Sequence, residues 1–596
     1  GLLNAQSNLV TGYIKDGKTG EPISFANIVV LDTDKGAASD IDGYFIISGI
    51  TPGSYTIKVM TIGYKAEEVP ITLSGKNIRI EVELFPESIN LDEVKVSAER
   101  MRFEKKVDIS RVNLSNRQIK MTPAFVESDV FRTLQLLPSV TSSNDFNAAI
   151  VVRGGNPDEN LIMLDGTQIY NPYHIGGIFS TFNSDMISDS EFLAGGFNAE
   201  YGGRLSSVLN VTAREGNSKN GRLSNSKSYL LNRIGNVVDF SQAKIDISLL
   251  SSKILLEGPL YKGSWMFSAR RTYIDQVVSA GYNVYNWWKK TNESIPFRYY
   301  FYDLHFKMQI KPLNNHKIIY STFNGTDDFY IDFGGGSNPG INFDWAWGNQ
   351  TQSLIWKYIP NSNFIVSSNF SQTKYLFDIQ FDFEFPTEVA EEDACECDTV
   401  NQSLDFSLGG LGINILIENL VKDISFEQKL DYFVSDNLKF KLGWERKQLE
   451  LRFQQSFGDT LVGEIKPPED PIIYSSFAVG NWNPTSFLYL QPSIRISSYN
   501  LYSKGYSDHI ITKALSSYYD PLSKLLYEMR FAAKINLTPN WVIKGSVGEY
   551  SQFLFTINNE EEILRIVDFW QPIPDGRMPQ RAQQYVIGTE AWLSEG

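Results

Sequence analysis

From about residue 217 onward, apolar and polar residues alternate with a period of two. Leu304, Phe306, Met308 and Ile310 alternate with Asp303, His305, Lys307, Gln309 and Lys311. Phe377, Ile379, Phe381, Phe383 and Phe385 alternate with Asp378, Gln380, Asp382 and Glu384. Leu438, Phe440, Leu442 and Trp444 alternate with Lys439, Lys441 and Glu445, and Met529, Phe531, Ala533, Ile535 and Leu537 with Arg530, Lys534 and Asn536. Side chains of a strand point to its two faces in turn, so each run predicts a strand with one apolar and one charged face. Thr538-Pro539-Asn540 predicts a tight turn, and the polar stretches Gly334 to Phe343 and Glu388 to Ser403 predict long loops.

The first third follows other rhythms. Short apolar runs at Asn8 to Ile14, Ala26 to Leu31, Tyr44 to Ile47, Ser54 to Met60 and Ile78 to Leu84 are separated by Asp16-Gly17, Asp42-Gly43 and Pro52-Gly53. They predict a small β-sandwich over residues 9–85. Residues 86–110 are polar and charged and read as a tether. Residues 111–216 mix patterns. A helix is predicted over Glu127 to Leu137, with Val130, Leu134 and Leu137 as its apolar stripe and Pro138 as its stop.

Composition narrows the class. The net charge of -15, without a basic tract, leaves nucleic acid an unsuitable partner. Aromatic residues make up 13%, heavy for a soluble enzyme, and no stretch of 18 consecutive apolar residues is present to predict a transmembrane helix. Two readings remain: a soluble all-β protein, or a membrane barrel whose polar faces line a wet lumen and whose aromatics form girdles. Cys395 and Cys397 are the two cysteines, so no disulfide framework is expected. Residues 1–8 read as a signal-peptide remnant or as a simple tail.

Covalent chemistry finds little footing. Gly12 to Thr19 has the spacing of a phosphate loop, yet Tyr13 and Ile14 read as strand and no helix follows. His174, His305, His316 and His509 begin no zinc-binding pattern. Asp40-Ile41-Asp42-Gly43 lacks the rest of a calcium loop and reads as a hairpin turn. Glu388 to Asp398 packs six carboxylates and two thiols, which fit a solvated acidic loop, a divalent-cation site or a strained bridge between Cys395 and Cys397. The metal question stays open there; no cofactor is expected, and no enzyme activity.

One stretch carries a family signature. Residues 150–216 contain Arg153-Gly154-Gly155, then Asp165-Gly166, then Tyr201-Gly202-Gly203 leading into a strand from Val208 to Thr212. Gly154 and Gly155 are expected to supply backbone angles that a Cβ resists. Order and spacing resemble the plug domain of TonB-dependent outer-membrane receptors. The sandwich segments GEPISFANIVV and DIDGYFIISGITPGSYTIKV resemble the carboxypeptidase regulatory-like domain that precedes the plug in receptors of the Bacteroidetes type. Leu91-Asp92-Glu93-Val94-Lys95-Val96, inside the tether, resembles their TonB box; such a segment adds as a strand to a partner's sheet edge, the bland alternative being one more edge strand of the sandwich. GPLYKGSWMFSARRTYID, LTPNWVIKGSVGEYSQFLF and DFWQPIPDGRMPQRAQQYVIGTEAWL look like recurrent barrel segments of the family, whereas residues 222–243 look like extra material.

The resemblance implies a mostly β protein: a small N-terminal β-sandwich (9–85), a tether (86–110), an α/β plug (111–216) and a transmembrane antiparallel β-barrel (217–596). It implies TonB-dependent transport of a scarce or large ligand, gated by the plug, in the outer membrane of a Gram-negative bacterium. The partners would be the periplasmic energy-transducing protein TonB, outer-membrane lipids and a transported ligand that the sequence does not identify. The alternative is a receptor or assembly component working with a surface lipoprotein and importing no nutrient. Tyr170, Asn171, Tyr173 and His174 follow the Asp165-Gly166 turn and are the candidate ligand contacts at the plug apex; Arg270 and Arg271 are expected to pair with plug carboxylates. Residues 217–596 suffice for about 15 strands at about 25 residues each, against about 22 in plugged transporters, so further C-terminal strands are expected from elsewhere.

Overall fold

The computed structural model describes residues 8–33, 35–61, 63–74, 77–87, 110–123, 127–142, 148–219, 241–248, 250–290, 297–333, 340–384, 412–435, 437–457, 460–465, 471–500, 524–557, 569–573 and 578–591. Leu91 to Val96, Glu388 to Asp398 with Cys395 and Cys397, His509 and most of 222–243 lie outside them.

The N-terminal domain packs two sheets. In one, Asn8–Asp16 pairs antiparallel with Tyr44–Ile50 and parallel with Ile78–Leu84. The other runs Gly36–Ala38, Asn27–Val30, Gly53–Met60, Glu67–Leu73. Gly36–Ala38 has no large apolar residue and Pro70 interrupts Glu67–Leu73, so neither stood out as the short apolar runs of the other five strands did. The core, with Ile14, Ile28, Phe45, Val59 and Leu84 near its centre, draws only on this domain's own residues. At the would-be phosphate loop, the carboxylate of Asp16 accepts the N–H groups of Lys18 and Thr19 at 2.6 and 3.0 Å. The donors a phosphate would need are already occupied.

The plug is a five-stranded sheet ordered Thr167–Gln168, Asn160–Leu164, Ser207–Ala213, Ile187–Leu193, Arg111–Ser115. Asn160–Leu164 and Ser207–Ala213 run parallel. A short helix, Asn116–Met121, opens on a capping box between Ser115 and Gln118. The second helix is shorter than the apolar stripe suggests, Val130–Leu134 instead of Glu127 to Leu137. The Asp129 carboxylate accepts the N–H groups of Phe131 and Arg132, which fixes the helix start at Val130 and leaves Glu127 free to reach Lys253 at 2.8 Å.

Fourteen strands form one antiparallel path among the described residues: Gln242–Ile247, Ser251–Leu260, Gly263–Thr272, Phe297–Ile310, His316–Asp332, Gly340–Asn361, Phe364–Glu384, Gly412–Ser435, Leu438–Phe457, Ile472–Thr485, Leu488–Asn500, Lys524–Thr538, Trp541–Gln552 and Gln580–Ala591. Thr460–Ile465 pairs beside Leu438–Phe457. The predicted loop from Gly334 is strand from Gly340 onward. The wall surrounds the plug, whose core continues into it through Leu255, Met266 and Phe323.

Alternation sorts the two faces. On Phe297–Ile310, Asp303, His305 and Lys307 are buried toward the plug, while Leu304 points outward. Phe440, Leu442 and Trp444 on one strand, and Leu525, Tyr527, Met529, Phe531, Ile535 and Leu537 on another, form an exposed apolar band. On Phe364–Glu384 the expected assignment reverses: Phe377 and Ile379 are buried inside, and Asp378 and Asp382 lie on the outer face. The reason is length. About 9–11 residues cross a bilayer, and this strand has 21, so its far half stands beyond the hydrocarbon and the outer face there meets water.

A helix absent from the sequence expectations, Ile274–Lys289, joins Gly263–Thr272 to Phe297–Ile310. The β-branched Val277, Val278 and Val284, together with Gly281, weaken the intrinsic helical signal. Arg271, expected to face the plug, points outward and pairs with Asp275 of this helix at 2.8 Å.

Candidate functional site

Two of the plug's signature turns, Asp165-Gly166 and Tyr201-Gly202-Gly203, meet the wall, whereas the near neighbours of Gly155 in Arg153-Gly154-Gly155 are the plug's own Glu159 and Ser206. Arg153 and Gly154 have positive φ, 52° and 81°. Gly155 does not; there the constraint is space, since a Cβ would lie 2.6 Å from the Glu159 carboxylate and 2.7 Å from Ser206 Oγ. Asp165, at φ 50°, directs its carboxylate to the Lys307 ammonium at 2.7 Å and accepts Ser321 Oγ at 3.0 Å. The Tyr201-Gly202-Gly203 turn is clasped from the wall by Arg530, whose guanidinium donates to the carbonyls of Asn198 and Tyr201, each at 2.7 Å. Just before it, Glu200 pairs with Lys441 at 2.7 Å and Lys429 at 3.2 Å. Burial alone would raise the Glu200 pKa; the two lysines outweigh it and hold the carboxyl well below its ordinary value.

The four apex residues are buried at the same seam, not exposed in a vestibule. Tyr170 donates its hydroxyl to Asp423 at 2.8 Å and meets Trp570 edge-on at 5.3 Å. Asn171 gives its carbonyl to the Asn349 side chain, and Tyr173 gives its carbonyl to Trp347 Nε1 at 3.2 Å. His174, fully buried, sits between Asp327 at 2.5 Å and Asp303 at 2.9 Å with its ring stacked on Phe301, centroids 4.0 Å apart. Arg270 closes this cluster: it binds Asp303, the Ser180 carbonyl and, at 3.5 Å, Glu127 of the plug. Among the four residues, sequence spacing brought together what the structure also keeps together, but their wall partners, separated by more than a hundred residues, left no local trace.

Above the apex the wall turns aromatic. Tyr299, Phe301, Trp345, Trp347, Tyr375 and Phe377 share a core with Tyr170 and Phe179 of the plug. A hairpin, Leu554–Ile557 with Phe569–Pro572, folds inward to join them, held by paired hydrogen bonds between Asn419 and the Trp570 backbone. Below the plug lies a cavity of about 1190 Å³, walled by the N-terminal domain, the plug and the barrel. Among the described residues, no group of three or more His, Cys, Asp or Glu side chains is placed to hold a metal ion.

Comparison with known proteins agrees with this architecture. Residues 10–96 match the CarboxypepD_reg-like domain family, and residues 104–207 the TonB-dependent Receptor Plug Domain family. The TonB-dependent transporter Oar of Myxococcus xanthus is 24% identical over 229 residues, 36% of this chain and 21% of that protein. The TonB-dependent receptor SusC of Bacteroides thetaiotaomicron is 29% identical over 232 residues, 37% of this chain and 22% of that protein. The match thus spans about a fifth of these relatives' length. The solved structure of the copper transporter OprC aligns with a TM-score of 0.52 at 11% identity, covering 82% of this chain and 70% of that one. The RagAB peptide importer in its closed-closed state aligns with a TM-score of 0.50 at 10% identity, covering 82% and 66%.

Proposed function

We propose, for a chain that is a TonB-dependent receptor in its plug domain and in its barrel fold, that it actively transports a ligand across the outer membrane of a Gram-negative cell, with the plug as gate. The observation that carries this reading is the seam. The plug occupies the lumen, and much of its hold on the wall is ionic: Asp165 with Lys307, Glu200 with Lys441 and Lys429, His174 with Asp303 and Asp327. Bonds of this kind exchange readily for water once wetted, so a plug seated by them can move without the barrel unfolding. No covalent step is needed; the work is conformational.

On this reading Leu91 to Val96 adds as a strand to TonB, which supplies the pull. Tyr170, Asn171, Tyr173 and His174 become ligand contacts only when the apex leaves the wall. Replacing Val94 and Val96 by Pro removes backbone donors and disfavours strand addition. Co-purification of the full-length chain with TonB should then fall to background while the barrel keeps its heat-dependent gel mobility. Undiminished co-purification would sink the reading.

A further inference from the structure

The N-terminal domain is seated against the barrel quite differently from the plug. The plug shares an apolar core with the wall. The N-terminal domain keeps its core to itself, and the contacts that hold it at the short-turn end of the barrel are polar. Asp42, in the turn between Gly36–Ala38 and Tyr44–Ile50, pairs with Lys317 at 3.0 Å and also with Lys357, both on the wall. Asn77 donates to Ser362 at 2.7 Å and Arg79 to the Asn314 carbonyl at 3.1 Å, both in turns between wall strands. The Lys311 ammonium sits 4.4 Å above the Tyr13 ring. Toward the plug, Glu21 pairs with Arg214 at 2.8 Å, and Glu83 with Lys219, just beyond it, at 2.6 Å.

This seat gives the cavity beneath the plug its floor. Phe25, Asp42 and Phe45 of the N-terminal domain face it from one side, and Gln168, Glu200 and Lys441 from the plug and wall. Its lining mixes charged and amide side chains with apolar ones, and a volume of about 1190 Å³ is somewhat above that of pockets that enclose small ligands. Cargo released past the plug would enter a compartment with the N-terminal domain beneath it.

We propose that the N-terminal domain is a removable floor: seated, it closes the turn-side mouth of the barrel over a polar exit chamber, and it leaves its seat when TonB pulls. This rests on the transport reading above. Two features make the seat releasable. The domain has its own core, so it stays folded when it departs. Its contacts are polar ones, ion pairs, hydrogen bonds and the Lys311–Tyr13 contact, whose groups water can solvate once the domain lifts. In the chain order, the segment Leu91 to Val96 follows the domain's last strand, Ile78–Leu84, and precedes the plug's first, Arg111–Ser115. A pull there loads both joints.

The test uses the full-length chain in its native membrane with Cys395 and Cys397 replaced by Ser, and with Asn77→Cys and Ser362→Cys introduced together. After brief oxidation, disulfide yield is read from gel mobility in energised cells and in cells lacking TonB. High yield without TonB and a several-fold lower yield in energised cells is the expected result. Adding Asp42→Lys should lower the yield even without TonB, in barrels whose heat-dependent mobility is unchanged. Equal yields with and without TonB, or no cross-link in either, would overturn the proposal. The Val94→Pro, Val96→Pro variant separates the two ideas: if it still binds TonB, the transport reading fails whatever the disulfide reports.

Discussion

His174 shows how much a single residue is asked to do at the seam. Burial disfavours its charged form, but the carboxylates of Asp303 and Asp327 outweigh that and hold its pKa at about 9, against an ordinary value of about 6.5. A raised pKa means the stabilisation is complete below pH about 6.5 and fades as pH climbs through about 9; its size is on the order of 3 kcal/mol. Protection factors of plug amides, that is, exchange normalised to the intrinsic rate at each pH, should therefore be larger at pH 6 than at pH 10, and His174→Ala should remove most of that difference while lowering protection at both. At the Arg153-Gly154-Gly155 turn, Gly154→Ala should cost about 1–2 kcal/mol through its positive φ alone, because nothing crowds a Cβ there. Gly155→Ala meets Glu159 and Ser206 instead, and should cost about 1–3 kcal/mol by overpacking. The turns were legible in sequence because positive φ leaves a dipeptide signature. The burial of Tyr170 to His174 was not, since it depends on Asn349, Trp347, Asp303, Asp327 and Asp423, which no local spacing connects to them.

At the scale of elements, period two identified wall strands correctly but carried no sign. Which face meets lipid depends on height along the strand, and that is set by strand length and by where the turns lie. Phe531 is in the middle of the outward run from Leu525 to Leu537. Phe531→Arg should cost about 2–4 kcal/mol, the price of a cation inside the hydrocarbon band. Asp378→Asn, on an outer face beyond that band, should change stability by less than about 0.5 kcal/mol. Equilibrium unfolding in lipid or detergent measures both. Capping chemistry explains the remaining misjudgement: the stripe of Val130, Leu134 and Leu137 gave a helix its existence, whereas Asp129 set its start. The helix Ile274–Lys289 was hidden because its residues favour neither state strongly, and its partner, the Phe297–Ile310 strand, is distant from any pattern within the helix itself.

For the whole molecule, the contrast between two attachments matters most. Raising salt to about 1 M shrinks the screening length to about 3 Å. Exchange at the Asp42 turn and at the Ile78–Leu84 edge should quicken, while exchange in Ile187–Leu193 and Ser207–Ala213, whose side chains share the plug core, should hardly respond. Equal acceleration in both regions would mean that the two joints are alike. The order of domains along the chain was proposed from composition and motif, because each stretch has its own rhythm. How they dock was not, because an ion pair such as Asp42 with Lys357 is invisible to any window of sequence.

A tug from below consequently meets seams of unequal toughness. The rim, whose domain keeps its core to itself, gives first; the gate, tied to the wall by charge and by a shared apolar core, gives later or only in part. On the two proposals above, release is ordered by mechanics alone, the bottom hatch swinging clear before the obstruction overhead shifts, with no separate signal needed to keep the two steps in sequence.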